Sequence, residues 1–400
     1  MKPIEGGVTA PQGFRASGVR AGLKPSSEKE DCALVFSDEA ATVSGMFTTN
    51  VMKSPPVHWN VEVCKSGYAR GVFINSVNAN AATGAQGKED VRATAERLAS
   101  TLGASYSEMC ICSTGVIGVP LPMELIFNGI GDCASSLSES GSLAAATAIM
   151  TTDTVAKEFA AEITLEQGPV RLGAIAKGSG MISPNMATMI CIITTDAAIA
   201  PELSQTLLRD AVRSSFNRIS VDNDMSTSDT VLLFANGRSS VAVQESSADA
   251  STFAESLTAF CQEVAKALVK DGEGATKFVE IAVSGTVTDD GAERIARAIG
   301  NSQLCKTAFF GEDPNWGRFA CAAGYAGVDF DPASLDIRLG GVQLTHGGLV
   351  ADYAEDDAAA VMLQDEFRLE LAVGNGSGKA VFWTSDLSHE YVSINADYRS

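Results

Sequence analysis

Histidine is nearly absent from this chain: His58, His346 and His389 are the only three in 400 residues. Zinc sites and histidine-based triads need imidazoles at ligand spacing, such as H-E-x-x-H, and these three lack it. They read as surface or capping residues, so no metal site is expected and a nucleophile must find its base elsewhere. Basic residues are also short, 29 against 49 acidic, which leaves a net charge of −20. With no basic cluster, that balance repels phosphate backbones and anionic lipid surfaces and argues against nucleic acid as a partner. Nowhere do 18 apolar residues run together, and Met1-Lys-Pro-Ile-Glu-Gly-Gly has no apolar h-region, so neither a membrane span nor a secretory signal is expected. Nine cysteines, an odd number, fit reduced thiols in a cytoplasmic setting better than a disulfide framework. Cys110 and Cys112, one residue apart on a strand-like run, belong in the core.

What the chain does have is enough apolar residue, 45%, for one large core and two domains, and 37 glycines. Cys32–Phe36 and Thr42–Phe47 read as strands separated by an acidic turn, and Gly71–Asn75 as another. Val91, Ala95, Leu98 and Leu102 recur at helical spacing up to Gly103, predicting a helix over Asp90–Leu102. Phe253, Leu257, Phe260, Val264 and Leu268 mark a long helix; Val279–Val287 reads as a strand and Ala292–Ile299 as a helix. Phe367, Leu369, Leu371 and Val373 alternate, and Asn375-Gly-Ser-Gly378 predicts a hairpin turn. Gly374-Asn-Gly-Ser-Gly lacks the helix that a dinucleotide fingerprint needs, and Gly173-Ala-Ile-Ala-Lys177-Gly-Ser misses the P-loop spacing.

Several polar stretches can carry chemistry. Lys177-Gly-Ser-Gly-Met-Ile-Ser-Pro-Asn-Met-Ala-Thr188 is a glycine-rich loop that runs through Pro184 into the apolar strand Met189–Ile193 and sets Thr188 at the junction. Ser113-Thr114-Gly115 puts a hydroxyl beside a freely oriented backbone N–H, the parts of an oxyanion hole. Met150-Thr151-Thr152-Asp153-Thr154 caps a helix or binds a ligand equally well. Asn75, Asn78 and Asn80 make either a polar network or an Asn-rich turn. Arg218 to Asp229 lacks the glycine and distal glutamate of a calcium loop and reads as a hydrogen-bonded structural loop. Glu273 stands in a glycine-flanked turn. As an internal residue Thr188 has no neighbouring base; breaking the Ala187–Thr188 bond would give it an α-amino group of pKa about 8 beside its own hydroxyl. Residue types alone leave it either an ordinary structural threonine or such a nucleophile.

Taken together, Gly7-Val-Thr-Ala-Pro, Asn78-Ala-Asn-Ala-Ala-Thr-Gly, Ser113-Thr-Gly-Val-Ile-Gly, Met150-Thr-Thr-Asp-Thr, Ala176-Lys-Gly-Ser-Gly-Met-Ile, Pro184-Asn-Met-Ala-Thr-Met, Asp271-Gly-Glu-Gly-Ala-Thr-Lys, Asp313-Pro-Asn-Trp-Gly-Arg and Tyr391-Val-Ser-Ile-Asn-Ala-Asp-Tyr-Arg-Ser resemble the ornithine acetyltransferase family of arginine biosynthesis, over the whole chain and in the family's order. The resemblance implies an α/β fold with an αββα-type core like that of N-terminal-nucleophile enzymes in different topology, and a smaller α/β C-terminal domain; the division is placed after residue 279. It implies self-cleavage between Ala187 and Thr188 into an α chain of residues 1–187 and a β chain of 188–400, paired as an α2β2 heterotetramer. It further implies ping-pong transfer of acetyl from N2-acetylornithine to glutamate, releasing ornithine, without a cofactor; acetyl-CoA is a possible co-substrate. Thr188 would be the nucleophile, Thr114 and Gly115 the oxyanion hole, and Thr151, Lys177, Thr188, Glu273, Asn395 and Ser400 the substrate-binding set. Lys177 suits a substrate carboxylate and Glu273 an ornithine ammonium. Val77 stands where the family usually has glycine. Two other readings stay open: an amidase or aminopeptidase of the same type, with water as acceptor, and a non-catalytic small-molecule binder. The absence of a targeting segment favours a bacterial-type cytoplasmic enzyme.

Overall fold

The apolar run that follows Thr188 lies in the middle of a large mixed sheet. In the computed structural model, which describes residues 1–183 and 189–397, this run forms the strand Ile190–Thr195, buried along its whole length. It pairs parallel with Thr230–Ala235, also wholly buried. A parallel pair covered on both faces needs a continuous apolar run rather than alternation, and both segments supply one. On one side of this pair lie, in order, Gly168–Lys177, Lys157–Leu165 and Lys2–Pro3; on the other lie Cys32–Phe47, Tyr68–Asn75 and Met109–Ser113, with Phe14–Val19 also pairing with Cys32–Phe47.

The two faces are read off by period-2 alternation. Phe73, Met109 and Ile111 face the helices Gly84–Leu102 and Met123–Ser135, while Val72, Ile74, Cys110 and Cys112 pack on the opposite side with Ala145, Ala148 and Ile192. Cys110 and Cys112 are therefore core residues, as expected, and burial pushes the Cys112 thiol up to about 12.

Two local expectations change. Cys32–Phe47 is one strand of 16 residues, not two. Its acidic middle continues because Arg15 pairs with Asp38 at 2.7 Å and Arg238 with Glu39 at 3.1 Å, while the register against Tyr68–Asn75 shifts there. The helix expected from Asp90 begins at Gly84. Gly87 admits the side chains of Thr83 and Asn80, whose oxygens would lie 1.9 and 2.4 Å from any Cβ at that position.

Two units divide the described residues, the first being Met1–Asn217 with Asp224–Leu268, the second Arg218–Asn223 with 269–397. The second unit starts ahead of residue 279, and within it Lys270 pairs with Glu366 and lies over the Phe278 ring. Its sheet runs Ile219–Ser220, Gly378–Ser385, Phe278–Thr286, Glu366–Ala372, Asp336–Leu339, Val342–His346, Leu349–Val350. Phe309, Phe319, Phe367 and Phe382 fill its core with Ile295 and Ile299 of the helix Asp289–Gly300. The hairpin expected at Asn375–Gly378 does not form. Glu366–Ala372 and Gly378–Ser385 flank Phe278–Thr286, parallel and antiparallel respectively. The connection steps over the end of that strand, where Gly376 N–H donates to Gly285 O and a Cβ on Gly376 would meet Thr286 O at 2.0 Å. The mixed α/β class expected from the sequence is borne out.

Candidate active site

Gly168–Lys177 and Ile190–Thr195 are antiparallel neighbours in which Lys177 faces Ile190 and Ala176 faces Cys191. Lys177 and Ile190 therefore stand side by side at one end of this strand pair. Ala187 and Thr188, the expected cleavage pair, and the expected substrate residue Ser400 lie outside the described residues.

Lys177, the last residue of its strand, is buried. Its Nζ donates to Thr151 Oγ1 at 2.8 Å and to Thr114 Oγ1 at 3.4 Å, so one side chain joins three of the expected site residues. An ammonium only donates. The two hydroxyls accept from it, which leaves their own hydrogens to point elsewhere. A second buried lysine, Lys157, pairs with Asp153 at 2.8 Å, and the other contacts of Asp153 are N–H donors: Gly178 at 2.7 Å and Thr151 at 3.1 Å. Burial pushes the Asp153 carboxyl up, but the Lys177 and Lys157 charges with the Gly178 N–H outweigh it and hold the group below the usual carboxylate range. The Met150–Thr154 cluster is thus an anchor for the end of the Lys177 strand rather than a helix cap.

Thr114 and Gly115 follow the strand Met109–Ser113. Asn75 holds the turn from the neighbouring strand: its carbonyl accepts Thr114 N–H at 3.0 Å, its Oδ1 accepts Ser113 Oγ at 2.6 Å, and its Nδ2 donates to Asn78 O at 2.8 Å. The asparagines are a network, not a bare turn. Gly115 has φ +125°, and a Cβ there would lie 2.2 Å from Val77 O, so the position admits only glycine. Val77 itself is not among the residues with positive φ, so its β-branched side chain is accommodated at this turn, where the motif resemblance led us to expect glycine.

In the second unit, Glu273 is buried and its Oε2 accepts Asn395 Nδ2 at 2.7 Å, bringing that expected pair together. Ser388 Oγ donates to Gly274 O at 2.6 Å, and Gly274 at φ +66° passes within 2.5 Å, measured from a built Cβ, of Tyr391 N; the glycine turn and the C-terminal helix His389–Asp397 are packed backbone to backbone.

Sequence reasoning passed over Asp229. It ends the loop read as structural, yet it is fully buried, and its Oδ1 accepts the N–H of Met189, the residue after Thr188, at 3.1 Å. Burial raises its carboxyl well above the usual range, against the Met189 N–H, the Thr48 side chain and the Lys177 charge. The three histidines are exposed, and among the described residues no three His, Cys, Asp or Glu side chains are grouped to hold a metal ion.

A family model of the ArgJ family matches residues 15–400. The chain belongs to the ArgJ family. Among curated ArgJ relatives, the arginine biosynthesis bifunctional protein of Thermosynechococcus vestitus is 45% identical over 99% of this chain and 98% of its own length. That of Geobacter sulfurreducens is 46% identical over 97% of this chain and 99% of its own. A crystal structure of the ArgJ protein from Bacillus halodurans matches at 35% identity and a TM-score of 0.50, covering 51% of this chain and 97% of the solved chain. The family expected from the motifs is borne out, and with it an enzyme of arginine biosynthesis.

Proposed function

We propose that this ArgJ-family enzyme moves the acetyl group of N2-acetylornithine to glutamate through an acetyl-Thr188 intermediate, after cutting itself between Ala187 and Thr188. The observation that carries the reading is the Lys177 ammonium joined to Thr114 and Thr151 at the strand end that leads into the Thr188 stretch. The Bacillus halodurans comparison supports the cut, since that solved polypeptide is matched over 97% of its length yet covers only 51% of this chain.

In the first half-reaction the Thr188 hydroxyl attacks the acetyl carbonyl and its proton passes to the Thr188 amine. The Thr114 hydroxyl, held as an outward donor by Lys177, and the Gly115 N–H receive the oxyanion. Collapse breaks the amide bond; the departing ornithine amine takes the proton, leaving an ester on Thr188. In the second half-reaction the amine of glutamate attacks that ester, and the hydroxyl is restored. Lys177 also supplies charge for a substrate carboxylate, Glu273 with Asn395 meets the ornithine ammonium, and Thr151 and Ser400 complete the substrate set. None of these steps needs a cofactor. The two chains assemble as an α2β2 heterotetramer in the cytoplasm, and acetyl-CoA is a possible second donor, tested by its coupling to glutamate.

Acetyl release from N2-acetylornithine with and without glutamate tests the transfer. Stimulation by glutamate with N-acetylglutamate as product is expected; equal acetate release in both reactions would make the enzyme an amidase instead. Denaturing electrophoresis tests the cut: two bands are expected from the wild type and one from Thr188→Ala. A single full-length band from active wild-type protein would refute it.

A further inference from the structure

Asp229 has no task in the mechanism above, yet the fold fixes it from several sides. Thr230 N donates to Met189 O at 2.9 Å, Thr48 N donates to Asp229 O at 3.1 Å, and Met189 N donates to Asp229 Oδ1. The second carboxyl oxygen, Oδ2, is buried without a hydrogen-bond partner among the described residues. The Thr48 hydroxyl lies near enough to bear on the carboxyl, but its one hydrogen goes to Ser226 O at 2.8 Å. Leaving a buried acceptor unsatisfied is unfavourable. Holding Met189 N–H alone would need only one oxygen, so the cost points to a use for the other. Met189 directly follows Thr188, and bond lengths keep any α-amino nitrogen within about 3.7 Å of the next amide nitrogen.

We propose that Asp229 is a positioning residue of the mature nucleophile: one carboxyl oxygen holds the Met189 N–H, and the other receives the α-amino group that cleavage frees on Thr188. The proposal rests on the Thr188 reading above. Before the cut that nitrogen is an amide with one hydrogen; afterwards it is an amine that can give a hydrogen to Oδ2 and keep its lone pair for its own hydroxyl. The proton that leaves the hydroxyl stays on the amine until the departing group takes it, and the ammonium formed in between draws the Asp229 carboxyl, raised by burial, back toward its charged form, which stabilises that ammonium. The other charged group bearing on Asp229 is Lys177, whose Nζ is engaged by Thr114 and Thr151.

The test is Asp229→Asn in the full chain, with activity normalised to the number of free Thr188 amino termini measured by mass spectrometry. Asparagine keeps an oxygen for Met189 N–H but sets an amide nitrogen in place of Oδ2, where it donates into the amine's lone pair. A cut variant is expected whose kcat falls about 10²-fold, the scale of a misdirected general base. The KM for N2-acetylornithine should stay within about threefold, and the acid limb of the kcat/KM profile should move down by about one pH unit as the ammonium loses its partner. An unchanged acid limb, or a loss in melting temperature with kcat per free terminus intact, would overturn the proposal. A variant that stays uncut would overturn it too, placing the part played by Asp229 before the break. A wild-type chain with no break at Ala187–Thr188 would instead sink the parent reading.

Discussion

Replacing Gly115 by alanine should separate the chemistry of this loop from its stability. The new Cβ would lie 2.2 Å from Val77 O, 2.3 Å from Val77 C and 2.8 Å from Asn78 N. These are backbone atoms, and they cannot swing aside: Val116 N donates to Val77 O at 3.0 Å, Ala79 N to Val116 O at 3.0 Å and Asn75 Nδ2 to Asn78 O at 2.8 Å. Relief requires the Thr114–Gly115 segment itself to shift, on the scale of 1 Å, whereas oxyanion donors work over about 2.7–3.1 Å. Loss of one donor costs about 10²–10³ in kcat, and the left-handed φ of +125° adds about 1–3 kcal/mol of strain. Gly118→Ala is the control, three positions on, with φ +81° but nothing within 4 Å of a Cβ. It should lose about 1–2 kcal/mol, which is about 2–8 °C in melting temperature for a domain of this size, and keep kcat within about twofold. The assay is acetyl transfer from N2-acetylornithine to glutamate, with melting followed by circular dichroism. Equal kcat for the two variants would refute the oxyanion assignment of Gly115.

Glu273→Gln keeps an oxygen for Asn395 but loses the charge, so kcat/KM for N2-acetylornithine should fall about 10–100-fold, the worth of a charged hydrogen bond, while kcat/KM for glutamate changes far less; equal losses for both substrates would count against an ornithine-ammonium site. Lys306, buried against Thr384 Oγ1 at 3.0 Å, has its amine pushed down to about 7, by burial first and against the Asp386 and Asp222 charges. The unfolded lysine then holds a proton that the folded one has released, so this group makes stability rise with pH from about 7 to about 10.5, and Lys306→Met should flatten that rise in urea melts run across the window. The cut chains should elute together in gel filtration without denaturant and separate only in it.

Sequence made legible what depends on local composition. The helix seeded by Phe253 and Leu268 forms, as Ala248–Lys270, and Gly103 stops its helix at φ +68°. Thr114-Gly115 and Lys177 come together because each closes a strand whose apolar run was readable. Asp229 was not legible, since an aspartate in a loop of serines and aspartates looks the same whether exposed or buried. Its burial comes from the Thr230↔Ile190 register, which sets the residues preceding the two strands side by side. The one signal was position, an aspartate directly before the apolar run Thr230-Val-Leu-Leu-Phe-Ala. The lost hairpin has a similar cause: alternation identifies a strand and its faces, but the partner that inserts between two consecutive strands, here Phe278–Thr286, is remote in sequence.

The sheet explains how a chain can be cut at its centre and remain one enzyme. Strands from residues after the proposed break, Ile190–Thr195 and Thr230–Ala235, lie side by side, and strands from before it, Gly168–Lys177 and Cys32–Phe47, flank them on both sides. Each flanking pair is an antiparallel ladder with six matched positions, Leu172–Lys177 against Ile190–Thr195 and Thr42–Phe47 against Thr230–Ala235. Separating the two chains would strip both ladders at once and expose Ile192, Ile193, Leu232 and Leu233, all fully buried. Burying such side chains is worth about 1.5–3 kcal/mol each, far more than a single peptide bond contributes to holding together ends already fixed at Lys177 and Ile190. The proposed cleavage at Ala187–Thr188 would therefore change the chemistry of one nitrogen without releasing the strand Ile190–Thr195 that follows it, and Asp229 holds the N–H of the next residue, Met189.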